Sequence, residues 1–208
     1  MLLNLLNSGP DPISLLIILV IEIGSLLLVL SVHEAAHAYV ALKLGDQTAK
    51  LAGRLTLNPL AHIDPIGGLA ILLIGFGWGK PVPVNPYNLR SPRQGMMLIS
   101  LAGPASNFLM AGLLAILFHF LGGLPLLGLI LQHLTQLTLL LGVFNLIPIS
   151  PLDGFKVVSG LLPYNLAIDW EQLAPWGIFL LLLLLMTPAF NTILYTPVSV
   201  LSRLLLGT

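Results

Sequence analysis

The chain reads as long apolar stretches separated by short segments rich in Pro, Gly and charge. From Ile13 to Leu44 no Pro interrupts a run that predicts one continuous helix, about 45 Å long at 1.5 Å per residue, against roughly 30 Å for the hydrocarbon layer of a bilayer. Such a helix must tilt or protrude. Gly45 and Asp46 end it, and Gln47 to Pro59 then alternates loosely between apolar and polar residues, which suits short strands. Ile66 to Trp78 is apolar, Gly-punctuated and too short to span unaided, so a re-entrant or interfacial element is expected there. The strand and re-entrant pieces fill residues 47–93, ending in a Pro-rich loop. Gln94 to Leu121 predicts a second span, broken early by Gly103-Pro104, and Leu126 to Ile147 a third, after the Gly122-Gly123 turn; residues 94–147 thus form a helical hairpin. Pro148, Pro151 and Gly154 interrupt the chain before a short amphipathic stretch to Leu162. Leu173 to about Tyr195 predicts a fourth span, kinked at Pro188, with the remaining tail expected along the interface.

Composition fixes the solvent. Of 208 residues, 57% are hydrophobic and 8% charged, with mean hydropathy +1.00, whereas soluble domains carry roughly a quarter charged residues. The fold class expected is therefore an all-α multi-pass membrane protein in the lipid bilayer, one domain over residues 1–208. It comprises about four full transmembrane helices, a short re-entrant element and small β-strand segments near the cytoplasmic face. Lys and Arg balance Asp and Glu at eight each, so no basic field exists for nucleic acid. The first eleven residues carry no Lys or Arg and the apolar run far exceeds a signal-peptide core, so it is expected to remain as a helix. Lys43, Lys50, Arg54, Lys80, Arg90, Arg93 and Lys156 fall on one side if residues 66–78 are re-entrant, leaving only Arg203 opposite; that side is expected to be cytoplasmic, in the cell membrane.

With no cysteine, a metal must be held by His, Asp or Glu. Within the first helix stands His33-Glu34-Ala35-Ala36-His37, an H-E-x-x-H motif: two His one turn apart can reach one zinc, with Glu34 beside them to polarise a water. The alternative is a polar cluster that packs helices, an expensive use of three ionisable groups inside a membrane. A catalytic zinc usually takes a third protein ligand. Asp153, at the end of Asn145 to Gly154 (NLIPISPLDG), follows an apolar span that returns to the side of His33 and His37; the competing role is an ordinary helix N-cap.

Together, HEAAH, the AGPASN of Ala102 to Asn107 and NLIPISPLDG resemble the three core signatures of the site-2 protease family of intramembrane zinc metalloproteases, in the family's order, over roughly Leu15 to Gly160. The resemblance implies one Zn2+ per chain held by His33, His37 and Asp153, Glu34 as general base and acid, and a membrane-spanning protein as substrate in regulated intramembrane proteolysis. It implies further that Gly103-Pro104 and Asn107 shape the cleft, and that Asn107 and Asn145 contact substrate or the oxyanion. Larger members carry a PDZ or CBS domain; no segment here has room for one, so presentation of substrate is expected to depend on the core or on a separate partner protein.

Physical chemistry makes the same demand of the loops. A substrate helix hides its peptide bonds in its own hydrogen bonds and must become extended before hydrolysis. Lys50 to Leu57 or Pro81 to Val84 are the segments expected to pair with it by strand addition, unless they serve only as a cap over the bundle. Glu22 lies about 16 Å from His33 along the helix, too far to be a ligand, and either lines a water path or pairs with Gln132 or His133. His119 and His133 are expected to be structural. His62 and Asp64 either support the zinc pocket as a lid or outer layer, or are a loop His and a helix-capping Asp. Two other classes of function compete: a metal or proton transporter, against which the absence of an internal repeat counts, and a catalytically silent membrane scaffold.

Overall fold

A computed structural model of the chain describes residues 11–74 and 78–207. Residues 75–77 of the expected re-entrant element, and residues 1–10, on which the leader argument rests, lie outside the described residues. The long helices share a start signal, a Pro in the first turn where its missing N–H costs nothing. Helix α1 (Pro12–Lys43) is also capped by Asp11, whose Oδ1 accepts from the Ile13 and Ser14 amides at 3.1 and 3.0 Å. It ends at Leu44 and at Gly45, which turns the chain with φ of 108°.

The strands expected over residues 47–59 are absent: Thr48–Leu51 is a one-turn helix, α2, and Pro59–Ala61 a 3-10 turn. Asp46 accounts for this, since its Oδ1 accepts from both the amide and the hydroxyl of Thr48 and bends the backbone where the alternation pattern wanted extension. Among the described residues the only β pairing is an isolated antiparallel bridge between Ile63 and Gly79, supported by Lys80 N–H donating to the His62 carbonyl at 2.9 Å. Helix α3 (Pro65–Ile74) begins two residues after Ile63, on one side of that bridge, and Gly79 stands on the other.

Helices α4 (Pro92–Leu121) and α5 (Pro125–Asn145) form the expected hairpin. Their backbones approach closely at Gly142, where a Cβ would come within 3.2 Å of Asn107 Cβ. A tight turn leads into α6 (Asp153–Leu161), which packs on α4 so closely that a Cβ on Gly160 would overlap Met97. Helix α7 (Tyr164–Glu171) and a 3-10 turn precede α8 (Gly177–Leu185) and α9 (Pro188–Leu206).

The last part corrects the expected fourth span. Pro188 does not kink a helix but opens a new one, because the residue before a proline avoids helical geometry and Thr187 is extended at ψ 149°. The tail is not interfacial: Val198 is buried with Ala111 of α4 and Leu139 of α5. Among the described residues five helical stretches, where about four were expected, are long and apolar enough to cross a membrane: Leu16–Lys43, Pro92–Leu121, Pro125–Asn145, Tyr164–Leu185 and Pro188–Leu206. Along α5 the contacts run in order, Leu181 with Ile147, Phe190 with Phe144 and Val198 with Leu139, so α8 and α9 descend the bundle antiparallel to α5. The chain is a multi-pass membrane protein.

Candidate metal centre

Three elements meet at the H-E-x-x-H turn. His33 Nε2 and His37 Nε2 lie 3.1 and 3.2 Å from the same atom, Asp153 Oδ2. The two imidazoles stand nearly perpendicular, 84° between planes with centroids 4.6 Å apart. Zinc bonds of 2.0–2.2 Å at tetrahedral angles separate neighbouring ligand atoms by roughly 3.3 Å, so the spacing suits that ion. The donor set, two imidazole nitrogens and one carboxylate oxygen within 4.8 Å of one another, leaves a fourth position for water.

The surroundings were shaped for these rings. His37 Nδ1 donates to the Ile99 carbonyl of α4 at 2.6 Å, which fixes the tautomer and leaves Nε2 with its lone pair. Gly103, one turn further along α4, faces both rings: a Cβ there would stand 2.4 Å from His37 Nε2 and 2.6 Å from His33 Cε1. The adjacent Pro104 contributes no N–H, which loosens α4 at that level. His33 Nδ1 is buried and has no hydrogen-bond partner among the described residues.

Asp153 turns its carboxylate toward the two imidazoles. It is the first residue of α6, whose cap Leu152 makes no side-chain bond, and its oxygen goes to the imidazoles instead of to the helix amides. Glu34 is half-buried and makes no hydrogen bond or ion pair among the described residues, so its carboxylate is available beside His33. Asn107 is fully buried, one turn beyond Gly103, and neither its Oδ1 nor its Nδ2 has a partner. Asn145 ends α5 with its Nδ2 donating to the Leu141 carbonyl at 3.0 Å, which leaves Oδ1 and one N–H.

The remaining sequence candidates lie elsewhere. His62 is fully buried but its ring is spent: Nε2 donates to the Thr56 carbonyl at 2.9 Å and Nδ1 faces Arg54 Nη2 at 3.3 Å. Asp64 caps α3 through the Ile66 and Gly67 amides, both at 2.9 Å. Neither belongs to the candidate ligand group of His33, His37 and Asp153. Glu22 pairs with His133 at 3.6 Å, and His119 bonds back to the Ala115 carbonyl on its own helix. Two buried charges were missed from sequence, Arg54 and Asp46; both stand in loops, where a charge is ordinarily solvated.

Comparison with known proteins agrees with the donor set. The chain is 41% identical over 194 residues to "Putative zinc metalloprotease YwhC" of Bacillus subtilis, covering 88% of this chain and 87% of that protein. It is 34% identical to "Putative zinc metalloprotease Rip2" of Mycolicibacterium smegmatis, over 86% of this chain and 72% of the relative. "Zinc metalloprotease MJ0392" of Methanocaldococcus jannaschii matches at 31% identity over 62% of this chain and 31% of its own length. No protein-family model and no solved structure matches the chain. With the metal-ligand geometry in place and the YwhC likeness running nearly end to end, the chain belongs to the site-2 protease-like family of zinc metalloproteases.

Proposed function

We propose that the protein is an intramembrane zinc endopeptidase that cleaves transmembrane segments of membrane-anchored proteins, one zinc per chain, in regulated proteolysis. The observation that carries this reading is the meeting of His33, His37 and Asp153 on one oxygen-nitrogen cluster, with Glu34 unengaged beside it, inside helices apolar enough to lie in a bilayer. Bound at this cluster, zinc would supply Lewis acidity to a peptide carbonyl and to the attacking water. The chain's own groups do the rest. Glu34 accepts the proton of the attacking water and passes it to the departing amine. The spare N–H of Asn145 and the amide of Asn107 would donate to substrate or to the developing oxyanion. His37 is held in register by the Ile99 carbonyl while this happens.

The substrate must arrive extended. Of the two segments considered for strand addition, residues 50–57 begin in a helical turn, so Pro81 to Val84 carries this role. The active site faces the cytoplasm of the cell membrane, as the basic residues dictate, and a separate protein presents the substrate.

The test is product formation. Purified protein in liposomes is given a synthetic single-span peptide with a central Gly-Asn pair, with zinc content measured on the same preparation. Zinc-dependent peptide products, absent for Glu34→Gln, support the reading; a zinc-loaded protein yielding none from a panel of such spans removes it. Orientation is checked by single cysteines at Lys50, Arg90 and Lys156, which should label from one face in this cysteine-free chain.

A further inference from the structure

The run from Gly79 to Asn85 (GKPVPVN) lies along the metal-binding turn of α1. At one end Gly79 touches Leu30, whose Cδ2 would be 2.9 Å from a Cβ at that glycine. At the other, Val84 packs against the buried cluster of Ala41, Leu89 and Ile99. Leu30 to Ala41 is eleven residues of helix, a rise of about 16 Å. Gly79 to Val84 is five steps of chain, which reach about 16 Å only when fully extended. The segment is therefore stretched past His33, Glu34 and His37. Its prolines enforce this, since Pro81 and Pro83 fix φ, and Lys80, Val82 and Asn85 each precede a proline and avoid helical geometry.

Both ends are tied to buried charges. Arg54, 4% exposed, donates from Nη1 to the Pro81 carbonyl at 3.2 Å and from Nη2 to the Lys80 carbonyl. Asp46, fully buried, accepts the Asn85 amide at 2.8 Å and the Asn88 side chain at 2.7 Å. Between these ties the N–H groups of Val82 and Val84 have no partner among the described residues, and Pro83 has no N–H to offer. A charge buried so deeply is costly unless it is hydrogen-bonded; Arg54 directs its bonds to the 80–81 backbone and His62, and Asp46 divides its own between the Thr48 turn and the Asn85–Asn88 segment. Burial pushes the Arg54 guanidinium below its ordinary value, while the Glu34 carboxylate pulls the other way.

We propose that Arg54 and Asp46 are positioning residues: they hold residues 80–85 taut beside the metal centre, so that the Val82 and Val84 backbone sets the register in which an extended substrate segment meets Glu34. This rests on the protease reading above. Only alternate residues of the edge can donate, so the substrate is fixed in steps of two residues.

The test uses the full-length protein in liposomes with the same single-span peptide, and the variants Arg54→Lys, which keeps charge but loses the two-carbonyl fork, and Asp46→Asn, which keeps shape but loses an acceptor. Expected are a KM raised about fivefold per lost bond, with kcat and zinc content held, and secondary cleavage sites displaced along the peptide. In the Glu34→Gln background, the peptide should slow hydrogen exchange at Val82 and Val84, and Arg54→Lys should abolish that protection. A protein that cleaves while both variants keep KM, cleavage position and protection overturns the proposal and leaves the protease reading standing. If both variants lose zinc, Val82→Pro decides, since it removes an edge donor and leaves both ties: unchanged KM and cleavage sites overturn it. A wild-type protein that binds zinc and makes no product removes both readings together.

Discussion

Two regions of this molecule bury ionisable groups, and they treat them differently. At the metal centre the polar atoms are left under-used: among the described residues His33 Nδ1 and both Asn107 amide atoms are buried without partners, and Glu34 has no hydrogen bond. In the loops between α1 and α4 most of that capacity is engaged, although Arg54 Nε is buried without a partner among the described residues. Asp46 accepts four hydrogen bonds and Arg54 is tied to two carbonyls and a histidine. An unpaired buried polar group costs about 1–3 kcal/mol, so the three unpartnered atoms of His33 and Asn107 mark a place where a metal, water or substrate would complete them. The two regions differ in degree: the loop charges commit most of their bonds to the chain, and the metal centre keeps more of its own in reserve.

The comparison breaks most sharply at Asp153. If the cluster is incomplete without a metal, Asp153→Ala should abolish both zinc retention at low free metal and cleavage, whereas a capping role would cost only roughly 1 kcal/mol of stability with zinc content kept. Metal analysis beside a denaturation curve distinguishes these. Glu34→Gln comes next: a folded, zinc-loaded protein about a hundredfold slower or worse, read by mass spectrometry of products. Gly103→Ala adds one carbon against both imidazoles and should lower zinc affinity about ten- to hundredfold, the range expected for overpacking of 1–3 kcal/mol. A chelator competition series measures it.

The smallest effect belongs to the loop region. Burial acts to raise the Asp46 carboxyl, but the Thr48 and Asn88 side chains and the Asn85 and Thr48 amides outweigh it and hold the carboxyl below its ordinary value. A carboxyl depressed on folding contributes stability that is present above its unfolded pKa and lost as pH falls through the folded value. Unfolding followed from pH 6 down to pH 2 should therefore show acid destabilisation below about pH 4 that is shallower in Asp46→Asn. Identical acid profiles for the two proteins would show that these bonds carry no net stability.

How much of this was legible in the sequence depended on the reach of the interactions. His33 and His37 share a helical period of four residues, so their common face is readable from spacing alone. The long helices announce themselves by apolar length and by Pro in their first turn. Asp153 is 120 residues from His33 and needed the topology and the family pattern. The strands went wrong because the loose alternation over Gln47 to Pro59 is too weak to compete with one Asp46 carboxylate organising the Thr48 turn. Pro188 was legible as a breaker but not as the start of a helix whose partners, Ala111 and Leu139, lie far back in the chain. Arg54 was invisible because what it binds, the carbonyls of Lys80 and Pro81, lies 26 and 27 residues on and is backbone, which no side-chain pattern encodes.

Helix α1 is unbroken from Pro12 to Lys43, and its apolar stretch, Leu16–Lys43, is about 42 Å long. Two of the ligands are therefore mounted on a rigid lever whose other arm is embedded in lipid. A thin bilayer lays that lever over and a thick one stands it up, each at a cost of fractions of a kcal/mol per ångström of mismatch. The metal site is thereby mechanically geared to the membrane around it, and the lipid chain length of the host bilayer becomes a physical input to the attitude of His33 and His37 toward Asp153.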